Sequence, residues 1–543
     1  MTTRDTPSFY TIDRGTSSTA AALIAPVDGR YRLLGSATAA TGVDPEALLE
    51  DLAWRVARAD ASVAESLDGW QDWSRLEVHT GRAPRACLVA ASAATGALLE
   101  RALSGAGWHI SARFFDFRPD LVALGEACLD PNVDAIVVGG REDVEEVERE
   151  HMRLLWPLAG SLARMRDDLA IIACGPFVDR PEGIPDERLF SLPAPEAVAA
   201  TSESALRQAA LQVGAHLGAE DRPARADGRT ALRASISSLA ALLGDRVEGI
   251  EVGAAAGSRT LAHPEGELRH SVIAAGAFLP SAMLDDEASA LAILRWSTLR
   301  GDPATHMDHL RELCLRPWSG IDQDSTRLRM AALRASLERM QAAWDAANTE
   351  GRPDDDVSDV VVLSGGAFSA VPAVAAALAL VDSVRRPGAV TILHDHARIL
   401  APLGALPVEG DRRRLLADLM DDSLVPIGSA VVTGALHGGG KGSNGGGTMS
   451  ISTALGDDEL RLEPDRLRLV DLPPGIVARL EIDPEQGSIL GVEGQRLTLE
   501  VSGGLGGLLV DTREIKLPLP DGGEARRAKL ESWEAPVWAN GRA

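Results

Sequence analysis

Residues 9–36 read FYTIDRGTSSTAAALIAPVDGRYRLLGS. The pattern predicts three short strands in series, over 9–13, 20–25 and 31–36. Asp28-Gly29 makes a tight turn between the second and third, a strong hairpin signal between apolar runs. The bend between the first two is Asp13-Arg14-Gly15-Thr16-Ser17-Ser18-Thr19. An acid ends a buried strand, a glycine follows two residues later, and hydroxyl residues come next. Such a turn can offer N–H groups and hydroxyls to a phosphate, while the carboxylate holds magnesium or its water. The same residues also suit a plain hairpin whose small polar side chains satisfy its own backbone.

At 543 residues the chain is long enough for more than one domain and an ample core. A net charge of −25 argues against a nucleic-acid partner, because no basic tract compensates for it. Cys87, Cys128, Cys174 and Cys314 are far apart, which suggests neither a zinc site nor a disulfide framework. The N-terminal residues are polar and no apolar run reaches the length of a membrane span. The expectation is a soluble, cytoplasmic protein with no membrane partner.

Further along, Asp44-Pro45 reads as a helix start, with Leu48, Leu49, Leu52, Ala53 and Val56 on one face. Apolar strands over 85–91, 108–115, 134–139 and 169–174 alternate with helical stretches, which predicts a mostly parallel α/β sheet. Gly139-Gly140 and Gly175-Pro176 follow strand ends, where ligands of such sheets gather. A strand over 247–252 then repeats the opening pattern: Glu251 near its end, Gly253 two residues on, then small residues. Residues 283–348 are helical, with Trp296, Leu299, Leu310, Leu313, Leu333, Leu337 and Trp344 supplying apolar faces. A strand over 360–363 runs into Ser364-Gly365-Gly366 and a helix, a unit that aims a helix N-terminus at a ligand. The glycine-rich run 437–447 reads as a flexible loop and lacks the order of a P-loop. Short alternating strands over 460–517 predict a β-rich module.

Three further groups have plain readings. His394-Asp395-His396 places two histidines on one strand face without a third ligand, so polar residues at a strand end are expected. Ser92 sits on a strand-to-helix turn but outside a GxSxG order, which fits a helix cap. Glu145, Glu146, Glu148 and Glu150 read as a solvated helix face.

Joined in order, these pieces resemble the actin/Hsp70/sugar-kinase ATPase superfamily. Within it, the chain resembles the MutL family of glutamate mutase accessory proteins. The segments that carry the resemblance are IDRGTSSTAAALI, RACLVAASAATGALLERAL, VDAIVVGG, IIACGPF, VVLSGGAFSAVP, ARILAPLGALP and GGLGGLLVDTR. The resemblance implies an α/β fold of two actin-like, ribonuclease H-like halves with a helical insertion and a C-terminal β-rich module. The expected boundaries are 1–227, 228–410 with the insertion at about 283–348, and 411–543. It implies ATP or ADP with Mg2+ as ligand, and a chaperone or reactivase role toward an adenosylcobalamin-dependent mutase. By carry-over, Asp13 orders magnesium and water and forms the catalytic pair with Glu251. Gly15, Thr16, Ser17 and Ser18 line the phosphates, Gly253 faces them from the other half, and Gly365 and Gly366 lie against the adenosine.

The chain departs from the family pattern. Ala20 stands where the family has Lys, and the second turn reads Glu251-Val252-Gly253-Ala254-Ala255-Ala256-Gly257-Ser258 instead of D-I-G-G-A-T-T-D. Lost hydroxyls and a lost carboxylate remove phosphate and metal contacts, which are most of what phosphoryl-transfer enzymes provide. The expectation is at most a weak ATPase. The alternative is a non-hydrolysing actin-like scaffold that binds a protein partner. The mutase reaction itself is not expected, because no D-x-H-x-x-G cobalamin loop occurs.

Overall fold

The computed structural model describes residues 7–64, 67–115, 120–140, 146–175, 183–195, 205–219, 226–254, 256–266, 268–273, 287–316, 322–347, 357–433, 447–484, 488–489, 492–493 and 496–538. The glycine-rich run before Gly447, Glu145, Pro176 and Ala255 lie outside the described residues.

The opening strands form as the pattern predicts: Phe9–Arg14, Ser18–Val27 and Arg30–Ala40, each antiparallel to the next. Asp28 and Gly29 both have positive φ, as a tight Asp-Gly hairpin turn requires. Ser74–His79 then pairs parallel to the first strand, and the two-residue strand Ala226–Asp227 pairs parallel to it. Counted along the chain, the sheet order is third, second, first, fourth, fifth.

The second half repeats that order. Leu268–Ile273, Gly257–Ala262, Val247–Val252, Val360–Ser364 and Gly388–Asp395 lie side by side, the first three antiparallel and the last two parallel to Val247–Val252. Two copies of this topology make the chain an α/β protein of two actin-like, ribonuclease H-like halves. Three strands from beyond residue 411 extend the second sheet to eight: Leu424–Val432, Leu508–Asp511 and Leu467–Val470. Four more strands form a separate antiparallel sheet, Gly456–Leu462, Gly447–Thr453, Val477–Pro484 and Leu497–Ser502. Its Met449, Ile451, Leu480 and Ile482 pack against Val431, Leu508 and Val510.

The parallel strands 85–192 are not part of the first half's own sheet. They form a five-stranded, all-parallel sheet set into the chain between the fourth and fifth strands of the first half. Both faces are covered, as a parallel sheet requires. Leu88 and Ala90 meet helices Ala93–Gly105 and Ala205–Ala219 on one side, while Cys87 and Val89 meet Leu121–Leu129 and Glu146–Ala163 on the other.

Two crossings join the halves. Helix Gly228–Leu243 leads from the first to the second. Helices Leu400–Gly404 and Glu409–Ser423 then lead back onto it and onto strand Arg30–Ala40. The crossing is close: a Cβ on Gly404 would lie 1.7 Å from the Ala231 carbonyl oxygen, so only glycine fits. The helical segment provides Glu287–Leu294, Pro303–Leu315 and Gln323–Ala347, and all seven of its expected apolar residues are buried. Helix Gly523–Trp538 seals it, with Leu530 and Trp533 against Trp296 and Leu299. Beneath this contact, Arg334 holds Asp382 (2.6 Å) and Glu534 (2.5 Å), and Arg513 holds Asp382 (2.7 Å) and Asp511 (2.8 Å), all fully or nearly fully buried. No helix among the described residues is long and apolar enough to cross a membrane.

Candidate functional site

The two halves meet at a cleft lined by Gly15, Thr16, Ser17, Ser18, Thr80, Gly81, Glu251, Gly253, Ala254, Ala256, Gly365, Gly366 and Arg398. Chain segments separated by hundreds of residues converge there because each half places its first hairpin turn and its fourth-strand end at the same sheet edge.

The two turns have one backbone design. Asp13 pairs with Ala20 and Arg14 with Thr19, and Gly15 N–H donates to the Ser18 carbonyl at 2.8 Å. Glu251 pairs with Ser258 and Val252 with Gly257, and Gly253 N–H donates to the Ala256 carbonyl at 2.9 Å. The third element is Gly365, whose φ of +94° lets the chain pass Val252; a Cβ there would lie 2.5 Å from the Val252 carbonyl oxygen. After Gly365, a short helix Gly366–Ser369 precedes helix Ala373–Ser383.

The two acids are treated differently. Asp13 lies beneath the first turn, where its Oδ2 accepts from Arg398 Nε (2.8 Å) and is ion-paired to Nη2 (2.7 Å). Arg398 Nη1 also donates to Ser18 Oγ at 2.7 Å. Arg398 is 5% exposed and has a φ of +54°, a conformation rare for a non-glycine residue and typical of functional sites. Asp395 props it up: its carboxylate accepts from Ile399 N–H (3.1 Å), Leu400 N–H (3.3 Å) and Ser364 Oγ (3.1 Å), and its carbonyl accepts from Arg398 N–H (3.2 Å). Burial pushes the Asp395 carboxyl up to about 6, against these hydrogen bonds. Glu251 instead accepts from Ser258 Oγ at 2.9 Å across its own hairpin. Burial raises its pKa, opposed mainly by the Arg229 charge. Arg229 reaches the cleft edge by donating to the Gly81 carbonyl at 2.6 Å.

These surroundings do not fit Mg2+ at Asp13. Magnesium keeps several waters in its octahedral shell and is held by one or two carboxylates with substrate phosphates, so Asp13 would have to be open to it or its water. That carboxylate is held by a guanidinium, whose charge repels a cation, and the facing turn offers Ala254 and Ala256. Among the described residues, no three His, Cys, Asp or Glu side chains converge as a metal site.

His396 Nδ1 lies 3.0 Å from the Ser423 carbonyl, and burial with the neighbouring His396 lowers the His394 pKa to about 4. Ser92 caps helix Ala93–Gly105 by accepting from Thr95 N–H at 3.3 Å. Sequence reasoning missed Arg398, Asp395, Thr80 and Gly81. The available signal was the acid between two histidines, which marks Asp395 alone.

No protein-family model matches the chain, and no curated protein matches it. Among solved structures it is similar to component A of the (R)-2-hydroxyglutaryl-CoA dehydratase of Acidaminococcus fermentans, at 11% identity over 75% of this chain and 99% of that one, with a TM-score of 0.27. It is similar to the activator of the 2-hydroxyisocaproyl-CoA dehydratase from Clostridium difficile with bound ADPNP, at 10% identity over 76% and 97%, TM-score 0.29. It is also similar to nucleotide-free acetone carboxylase, at 10% identity over 84% and 81%, TM-score 0.30. Likeness at this level carries no argument about function, and the fold rests on the repeated strand order.

Proposed function

We propose that this chain is an ATP- or ADP-binding accessory protein that acts on a protein partner and hydrolyses nucleotide weakly at most. The observation that carries the reading is the convergence of Gly15–Ser18, Gly253 and Gly365-Gly366 on one cleft between two actin-like halves. In this reading Thr16, Ser17 and the turn N–H groups take the phosphates, and Gly365 and Gly366 lie against the adenosine. The resemblance to the MutL family supports a cytoplasmic role as chaperone or reactivase for an adenosylcobalamin-dependent mutase. Opening and closing of the cleft passes the nucleotide state to that partner. Weak hydrolysis follows from the second turn, where Glu251 is bonded to Ser258 and Ala256 and Gly257 stand where the resembled pattern has two Thr.

Calorimetric titration with ATP and ADP, with and without Mg2+, tests this. The expected result is micromolar binding and phosphate release no faster than on the order of 10⁻³ s⁻¹, the range of a GTPase lacking its arginine finger. Absence of heat from a folded sample sinks the nucleotide reading. It would leave the second reading, a nucleotide-free scaffold, which the apolar second turn with Ala254 and Ala256 favours.

A further inference from the structure

We infer that Arg398 is the resident cation of this cleft, standing beside Asp13 in place of a divalent metal, so that a nucleotide polyphosphate is bound there without metal. The inference rests on the nucleotide reading above and adds the counter-ion.

Four observations support it. First, the Asp13–Arg398 pair is built in from both sides: Nε donates to the carboxylate, Nη2 lies 2.7 Å from the same oxygen as an ion pair, and Nη1 donates to Ser18 Oγ. Second, the position of Arg398 is enforced. A left-handed arginine persists only where its surroundings hold it, and here the fully buried Asp395 binds the two following N–H groups. Third, the guanidinium touches the phosphate turn itself. A Cβ on Gly15 would lie 3.4 Å from Arg398 Nη2, so the cation rests against the turn whose N–H groups and hydroxyls face the cleft. Fourth, the opposite wall offers a metal little: Glu251 is bonded to Ser258, and Ala254 and Ala256 have no side-chain oxygen.

The chemistry of the donor points the same way. A guanidinium has five N–H donors. Two are used on Asp13 and Ser18 among the described residues, and Arg398 lines the cleft, so a phosphate oxygen can take another. Planar charged donors of this kind suit phosphate, while a cation placed beside them is repelled. Arg229, at the cleft edge on Gly81, adds a second positive charge.

The experiment measures ATP and tripolyphosphate affinity of the full chain by calorimetry, in Mg2+ and in EDTA. The wild type is expected to bind each ligand within about threefold of the same Kd in both buffers. Arg398→Ala is expected to lose tenfold or more in EDTA and to regain affinity in Mg2+, since it frees Asp13. Arg398→Lys, which keeps the charge but not the planar fork, is expected to fall between them. A wild-type Kd that rises tenfold or more in EDTA overturns the inference, even if Arg398→Ala does not fold. If the wild type binds neither ligand in either buffer, the nucleotide reading fails, and Mn2+ binding followed by electron paramagnetic resonance decides the metal question alone. One Mn2+ bound by the wild type and lost in Asp13→Asn overturns the resident-cation assignment. No such ion on the wild type, with one gained by Arg398→Ala, upholds it.

Discussion

Gly15 and Gly253 hold equivalent places in two hairpins with the same register and the same closing hydrogen bond. Around that shared backbone the chemistry diverges. The first turn carries Thr16, Ser17 and Ser18, and its acid meets a guanidinium. The second carries Ala254 and Ala256, and its acid meets a hydroxyl on the adjacent strand. Backbone geometry at such a turn is therefore separable from its chemistry. The second turn keeps the shape because Gly365 is needed for the chain to pass Val252, and Gly253 and Gly257 sit in tight surroundings. A Cβ on Gly257 would lie 2.6 Å from Met340 Cε and 3.0 Å from the Glu251 carbonyl oxygen. Side chains that line the cleft have no such packing duty.

The sharpest way to break this comparison is to remove each acid. Asp13→Ala leaves the Arg398 guanidinium buried without its partner and is expected to destabilise the protein by about 3–5 kcal/mol. Glu251→Gln keeps an acceptor for Ser258 and is expected to cost under about 1 kcal/mol. Denaturant unfolding checks both, and equal losses would dissolve the distinction. It also makes Asp13→Asn, rather than Asp13→Ala, the better probe of binding.

The support under Arg398 is expected to titrate. The Asp395 pKa lies at about 6 in the fold against 3.8 ordinarily, so the folded state holds its proton more tightly than the unfolded chain. That contribution is full below about pH 4 and is lost as pH rises through about 6. The stability of wild type relative to Asp395→Asn is expected to fall by on the order of 3 kcal/mol between those limits. Unfolding curves at a series of pH values measure it, and a flat difference refutes it. Next in size, Thr16→Ala with Ser17→Ala is expected to weaken ATP about tenfold or more, by loss of charge-assisted hydrogen bonds. Smallest, Ala254→Ser is expected to change affinity less than about twofold, and a larger gain would show the second turn still facing phosphate.

The two hairpins, and the paired halves they imply, were legible because both signals are local. Asp28-Gly29 fixes one turn, and an acid-x-Gly spacing recurs at Asp13-Arg14-Gly15 and Glu251-Val252-Gly253. Arg398 was not legible. It meets Asp13 across 385 residues, and nothing in its neighbourhood marks an arginine as left-handed. The fifth strand of the first half, Ala226–Asp227, has only two residues, too few for a period to show, and follows a whole inserted sheet. Alternation identified strands at 467–470 and 508–511 but could not say that they join the second half's sheet. A period of two fixes the faces of a strand, not its neighbour.

The ion network under helix Gly523–Trp538 has a consequence for how the chain is made. Arg334 is fully buried on Glu534, 200 residues further on. At roughly 5–20 residues per second, the ribosome delivers that partner some ten to forty seconds after the arginine. Through that interval the helical segment is unsealed, with Trp296, Leu299 and a solvated cation exposed where the mature protein has none. The nascent second half is thus the stage of synthesis most in need of a holding chaperone, whatever the finished protein does for others.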